Sequence, residues 1–128
     1  MNKSELIRRL NELAFDKNEY WLITGGAMVL YGLRAETSDV DLGCSSKMAD
    51  RLENKGYPTI VLDDGTRKIT VDEDVEIFEN WIFDTVNMID DIPVISLNGL
   101  MEMKKSLGRE KDCRDIELIE KYLGKAQE

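Results

Sequence analysis

Two aspartates separated by a single valine, in the run Ser38-Asp39-Val40-Asp41-Leu42, constrain this chain more than any other feature. Alternate residues of a strand face one side. A strand from Asp39 to Gly43 therefore projects both carboxylates together while Val40 and Leu42 enter a core. Paired carboxylates repel and raise each other's pKa, and aspartate is a poor strand former. The pattern works against folding and suits a hard, oxygen-seeking ion such as Mg²⁺ (or Mn²⁺) held between Asp39 and Asp41. A solvated strand face is the competing reading.

The segment before it has its own geometry. Tyr20-Trp21-Leu22-Ile23-Thr24 is short, apolar and rich in strand formers, and it runs into Gly25-Gly26 and then a short helix, Ala27 to Leu33. Glycines at such a junction let a ligand approach the backbone, and a new helix offers free N–H groups to a phosphate. By itself, a glycine pair there is ordinarily just a tight turn.

The remaining chain reads as one mixed sheet with helices packed on it, an α+β fold within one domain, residues 1–128. Ser4 is expected to cap a first helix carrying Leu6, Ile7, Leu10, Leu13 and Ala14 on one face. Ser45 or Ser46 caps another, ending at Gly56. Three strands follow at Thr59–Leu62, Arg67–Val71 and Val75–Glu79, with Asp63-Asp64-Gly65 as a hairpin turn. Asn80 to Asp91 reads as loop and partial helix. Ile92-Pro93-Val94-Ile95 reads as an edge strand, because proline cannot donate to a central ladder. Two helices close the chain, Leu97–Leu107 and Glu110–Leu123, with a break near Gly108 and a stop at Gly124. Trp81 and Phe83 are read as core residues, with stacking on a ligand or self-association as the alternatives; Leu100, Met101, Met103 and Leu107 are read as core-facing.

Composition narrows the chemistry. The chain has no histidine, so neither a Ser-His-Asp system nor a histidine-based zinc site can be built. Cys44 and Cys113 lack metal-ligand spacing and are expected to be reduced and structural. Acid–base or metal chemistry falls to the 26 carboxylates. The net charge of −9 argues against gripping an extended duplex, and favours a small substrate or an RNA end. No apolar run approaches the roughly 20 residues of a membrane span, and the charged N-terminus is unlike a signal peptide. The expected location is cytoplasmic.

A third acid is wanted on a neighbouring strand. Glu76, between Val75 and Ile77, is favoured over Asp72, Glu73, Asp74 and Glu79. With these residues assembled, LITGGAMVLYGLRAETSDVDLG resembles the signature of the DNA-polymerase-β-like nucleotidyltransferase superfamily: Gly-Gly, a short helix, then Asp-apolar-Asp-apolar, twelve residues separating Gly26 from Asp39. The small single-domain branch with the AbiEii-type toxin and lincosamide-modifying enzymes is the most similar. Arg34, Thr37 and Ser38 match its Arg-x-x-Thr/Ser run, and Lys104, Arg109, Lys111, Asp112, Asp115 and Ile116 match its closing segment.

The resemblance implies a nucleotidyltransferase fold with two C-terminal helices and transfer of a nucleoside monophosphate from a nucleoside triphosphate to a hydroxyl. Asp39, Asp41 and Glu76 would be the catalytic and metal-holding acids, with Glu76 orienting or deprotonating the acceptor. Gly25, Gly26, Arg34, Thr37, Ser38, Lys104 and Arg109 would meet the nucleotide, although Arg109 and Asp112 could equally fix the last helix against the sheet. The acceptor would be a small molecule or an RNA end. The alternative is a non-catalytic binding partner of the same fold, such as a toxin–antitoxin component; a homodimer is the other expected assembly.

Overall fold

The computed structural model describes residues 1–82 and 84–126, so the expectation for Phe83 lies outside the described residues. In chain order the elements are α1 (Lys3–Leu13), β1 (Tyr20–Ile23), α2 (Thr24–Leu30), β2 (Val40–Cys44), α3 (Ser46–Asn54) and β3 (Thr59–Val61). Then come β4 (Arg67–Asp72), β5 (Val75–Glu79), β6 (Val86–Ile89), β7 (Ile92–Ile95), α4 (Leu97–Leu107) and α5 (Glu110–Ala126). The strands form one seven-stranded sheet in the order β3-β4-β5-β2-β1-β7-β6.

Its register is written in an apolar row. Ile69 pairs with Ile77, Ile77 with Leu42, Leu42 with Leu22, and Leu22 with Val94, crossing five strands. All five side chains are fully buried. Because strand side chains alternate, the neighbouring row must face the other way. That row is Ile23, Asp41, Glu76 and Thr70. The next row on the same face as Asp41 is Trp21, Gly43, Phe78 and Lys68. The helices pack on the sheet and on one another, α2 against β1 and β2, α3 against β4, and α4 against α5.

Several local expectations change. Asn2, not Ser4, caps α1: its side chain accepts the Glu5 N–H at 2.9 Å while the Glu5 carboxylate accepts the Asn2 N–H at 3.1 Å, a reciprocal capping box. Ser4 lies inside the helix. The Asn80–Asp91 region holds a strand, β6, rather than partial helix. Asp90 and Asp91 turn it into β7 with φ of 49° and 65°, the paired left-handed residues that a two-residue hairpin requires. Consequently β7 is internal, between β1 and β6. Pro93 is tolerated because it opposes Met88, the pair next to the turn-closing one, where an antiparallel ladder needs no hydrogen bond. On its other side, a single register pair, Leu22 with Val94, joins β7 to β1. Gly124 does not stop α5, which continues to Ala126. Cys44 is buried in the core, as expected, and burial pushes its thiol up to about 12; Cys113 is exposed. Among the described residues, no helix is long and apolar enough to cross a membrane.

One ion cluster fastens the sheet to α3. The Arg67 guanidinium donates to both Glu79 oxygens, at 3.1 and 2.7 Å, and pairs with Asp50 and Glu53 at 2.8 and 2.9 Å. Hydrogen bonds from Arg67 hold the Glu79 carboxyl down at about 2 from the ordinary 4.5, against the opposing effect of burial. Glu79 therefore stabilises the fold fully above about pH 4.5, and that contribution is lost as pH falls through about 2. Glu79→Gln is expected to flatten the acid limb of a stability–pH curve measured by urea denaturation.

Candidate active site

A cavity of about 650 Å³ opens where the acidic row of the sheet meets the start of α2 and the C-terminal helices. Asp39 and Asp41 both line it, as do Thr24 and Gly25. Asp39 immediately precedes β2 and is exposed, whereas Asp41 lies within the strand and is half-buried. The alternation across Val40 sends both carboxylates to one opening while Val40 is fully buried.

Asp41 is held at a cost. The Thr24 hydroxyl donates to its Oδ2 at 2.8 Å. Burial raises its pKa above the ordinary 3.8; the Thr24 bond opposes this, and the charges of Glu76 and Asp39 push it further up. Thr24 has a φ of 52°, a left-handed conformation that a β-branched residue rarely adopts. Such backbone strain concentrates where a fold must aim a group. Nothing in the composition of Tyr20–Thr24 marks Thr24 for that role; only the backbone does.

The two glycines separate in function. Both lie in the first turn of α2, which begins at Thr24 rather than at Ala27. Gly25 lines the cavity, and a Cβ there would stand 2.7 Å from Arg34 Nη1 and 3.0 Å from Thr37 Oγ1. Its bareness lets the Arg34–Ser38 loop close over the helix start. Gly26 does not line the cavity: a Cβ there would meet Leu22 Cδ1 at 2.8 Å. It is a packing glycine that seats α2 on β1.

The basic residues come together as a linked set. Arg34, Lys104, Arg109 and Lys111 all line the cavity, with Thr37 and Ser38 beside them. Arg34 Nη2 donates to both Asp115 oxygens at 2.9 and 2.8 Å. The buried Lys104 ammonium lies 2.9 Å from Asp115 and 3.6 Å from Asp112. Arg109 takes Asp112 in a fork, Nε at 2.7 Å and Nη2 at 3.1 Å. Burial alone would raise the Asp112 pKa, but Arg109 and Lys104 outweigh it and hold the carboxyl below its ordinary range. The Arg109–Asp112 fork is thus local to the start of α5, and the Lys104–Asp112 pair ties that helix to α4 rather than to the sheet. Three cations share two aspartates in this linked set, which stands in the same cavity lining as Asp39 and Asp41.

Glu76 stands apart. It is the register partner of Asp41 and its carboxylate takes the Lys68 ammonium at 2.7 Å, but it is not among the cavity-lining residues. Among the described residues there is no group of three or more acids, cysteines or histidines able to hold a metal. The expected triad of metal-holding acids is therefore not assembled, because Lys68 draws the Glu76 side chain to itself. The donor set fits Mg²⁺ in a different way. This ion commonly takes one or two carboxylates and completes its shell with substrate phosphates and water, which two convergent aspartates beside a cationic wall allow.

Other lining residues carried weaker signals. Phe78 sits two residues beyond Glu76 and shares its face; both it and Trp81 pack, partly buried, against the core and also line the cavity. Leu100 and Met103 are buried as expected, but Leu107 is 37% exposed and lines the opening.

Two changes test this geometry. Asp41→Asn removes a buried charge while keeping an oxygen for Thr24, so its melting temperature in a chelator should exceed that of the unchanged protein. Asp115→Asn strips Arg34 and Lys104 of their shared partner, and denaturant unfolding should show a loss of about 3–5 kcal/mol.

No family model matches the sequence, and no curated protein does. Solved structures do. A putative nucleotidyltransferase from Thermotoga maritima superposes with a TM-score of 0.63 at 18% identity, covering 98% of this chain and 96% of its own. The lincosamide antibiotic adenylyltransferase LnuA, in its lincomycin-bound form, gives a TM-score of 0.57 at 18% identity, covering 91% of this chain and 95% of its own. The likeness spans nearly the whole of each chain, and the fold of this protein is the nucleotidyltransferase fold.

Proposed function

We propose that this protein is a nucleotidyltransferase that moves a nucleoside monophosphate from a nucleoside triphosphate to the hydroxyl of a small molecule or an RNA end. The observation that carries the reading is the convergence of Asp39 and Asp41 on one cavity with Gly25 and the cations Arg34, Lys104 and Arg109, on a nucleotidyltransferase fold. The lincomycin-bound adenylyltransferase supports a small-molecule acceptor and an adenine nucleotide as donor.

In the reaction the acceptor hydroxyl gives up its proton to water as its oxygen attacks the α-phosphorus; an O–P bond forms, the bond from that phosphorus to the bridging oxygen breaks, and pyrophosphate leaves with that electron pair. A bound Mg²⁺ would neutralise phosphate charge and polarise the phosphoryl group. Asp39 and Asp41 would hold that ion, and Thr24 would aim Asp41. Arg34, Lys104, Arg109 and Lys111 would attract the triphosphate and stabilise the departing pyrophosphate. Glu76 acts here on Asp41, its charge keeping the neighbouring carboxylate avid for a cation, rather than on the acceptor. Catalysis of this kind is mainly positioning and charge neutralisation.

A non-catalytic partner of the same fold, such as a toxin–antitoxin component, is the second reading. It is favoured by the absence of a third metal-holding acid among the described residues. Incubation with each labelled triphosphate, Mg²⁺ and either bulk tRNA or lincosamide and aminoglycoside acceptors separates the two. Label transfer with pyrophosphate release is expected. No transfer to any acceptor, with tight capture of a protein partner, would overturn the enzyme reading. Asp41→Ala should lower turnover by at least about a hundredfold and abolish Mg²⁺-dependent triphosphate binding in calorimetry, with the fold retained by circular dichroism.

A further inference from the structure

The cavity has an aromatic end that phosphate chemistry does not use. Phe78 and Trp81 both line it, and their rings stack with centroids 4.5 Å and planes 26° apart. Both are half-buried, so the stack keeps surface toward the opening.

The stack is held in place from beneath. The Trp21 indole N–H donates to the Trp81 carbonyl at 2.7 Å. That indole lies across Gly43, where a Cβ would stand 2.0 Å from Trp21 Nε1 and 2.8 Å from the Trp81 oxygen. Only a residue without a side chain permits the bond. On either side of Trp81, the Asn80 N–H donates to the Cys44 carbonyl at 2.7 Å and the Ile82 N–H to the Asn80 carbonyl at 2.9 Å. A preorganised aromatic surface loses little freedom when a ligand stacks on it.

Its distance from the acids is set by the sheet. Phe78 is the register partner of Gly43, which lies two residues beyond Asp41 on the same face of β2. Two residues along a strand and one strand across is roughly 8 Å, the span between an α-phosphate and the ring of its own base.

We propose that the Phe78–Trp81 stack is the nucleobase platform of this cavity, on which the base of the triphosphate lies while its phosphates reach toward Asp39 and Asp41. The proposal rests on the nucleotidyl-transfer reading and adds to it the group that recognises the nucleoside. Every base has a π-face, so such a platform favours nucleotides over bare polyphosphates.

Calorimetry with Mg-ATP and with Mg-tripolyphosphate, which has the same phosphate chain and no base, tests it on the unchanged protein, Trp81→Ala and Trp81→Phe. Trp81→Ala should weaken ATP binding about tenfold and leave tripolyphosphate within about twofold, with Trp81→Phe retaining most of the ATP affinity. ATP should quench tryptophan emission in the unchanged protein and not in Trp81→Phe, where Trp21 remains as the internal reference. Equal losses for both ligands, or ATP binding untouched by Trp81→Ala, would overturn the platform. If the unchanged protein bound ATP and tripolyphosphate equally well, the platform alone would fall. If it bound neither, the transfer reading would fall with it.

Discussion

Everything at the candidate site depends on the apolar row formed by Ile69, Ile77, Leu42, Leu22 and Val94 across five strands. Each such side chain, fully buried, stabilises the fold by roughly 1.5–3 kcal/mol. A slip of one residue between any two strands would turn part of that row to the other face. The same register sets Asp41 beside Glu76. Two carboxylates about 5 Å apart near a protein surface repel by roughly 3 kcal/mol. The row outweighs that repulsion several-fold, so the sheet holds the acids together whether or not a cation is present to relieve them.

A second constraint ties the two ends of the cavity. Arg34 and Asp115 lie 81 residues apart, and their paired hydrogen bonds join the loop before β2 to α5. Lys104 on α4 shares the same carboxylate and reaches Asp112. Buried ion pairs of this kind are weak evidence for stability, because desolvation offsets much of the attraction. Their consequence here is geometric. A lysine that is 3% exposed between two buried aspartates is held in a fixed place in the cavity lining. The cavity thus has an acidic floor made by the sheet and a cationic wall made by helices from the far end of the chain.

Much of this was legible in residue order, and the failures have identifiable causes. The helix and strand sequence follows from periodicity over most of the chain. Ser4 and Asn2 are both good caps, and Glu5 chooses Asn2 because its side chain can close the reciprocal bond three residues on. Pro93 signals an edge strand by a sound rule, yet the hairpin through Asp90 and Asp91 places it opposite Met88, where the ladder to β6 needs no donor. The short run Val86–Ile89 is too brief, and too polar on either side, to be told from loop without its partner strand. Gly124 has the usual mark of a helix end, but α5 continues past it.

By itself the sequence determined the paired aspartates, their shared face, the glycine turn before them and the basic residues of the closing helices, because each is written in local spacing. Only the tertiary structure decided which of those residues meet. It seated Gly26 against Leu22 and left Gly25 at the cavity, drew Glu76 to Lys68, and matched Arg34, Lys104 and Arg109 to Asp112 and Asp115. It also brought Trp21 across Gly43 to hold Trp81 over the site. The reason is physical: periodicity assigns a side chain to a face, but its partner on that face is set by strand order and register, which join residues far apart in the chain.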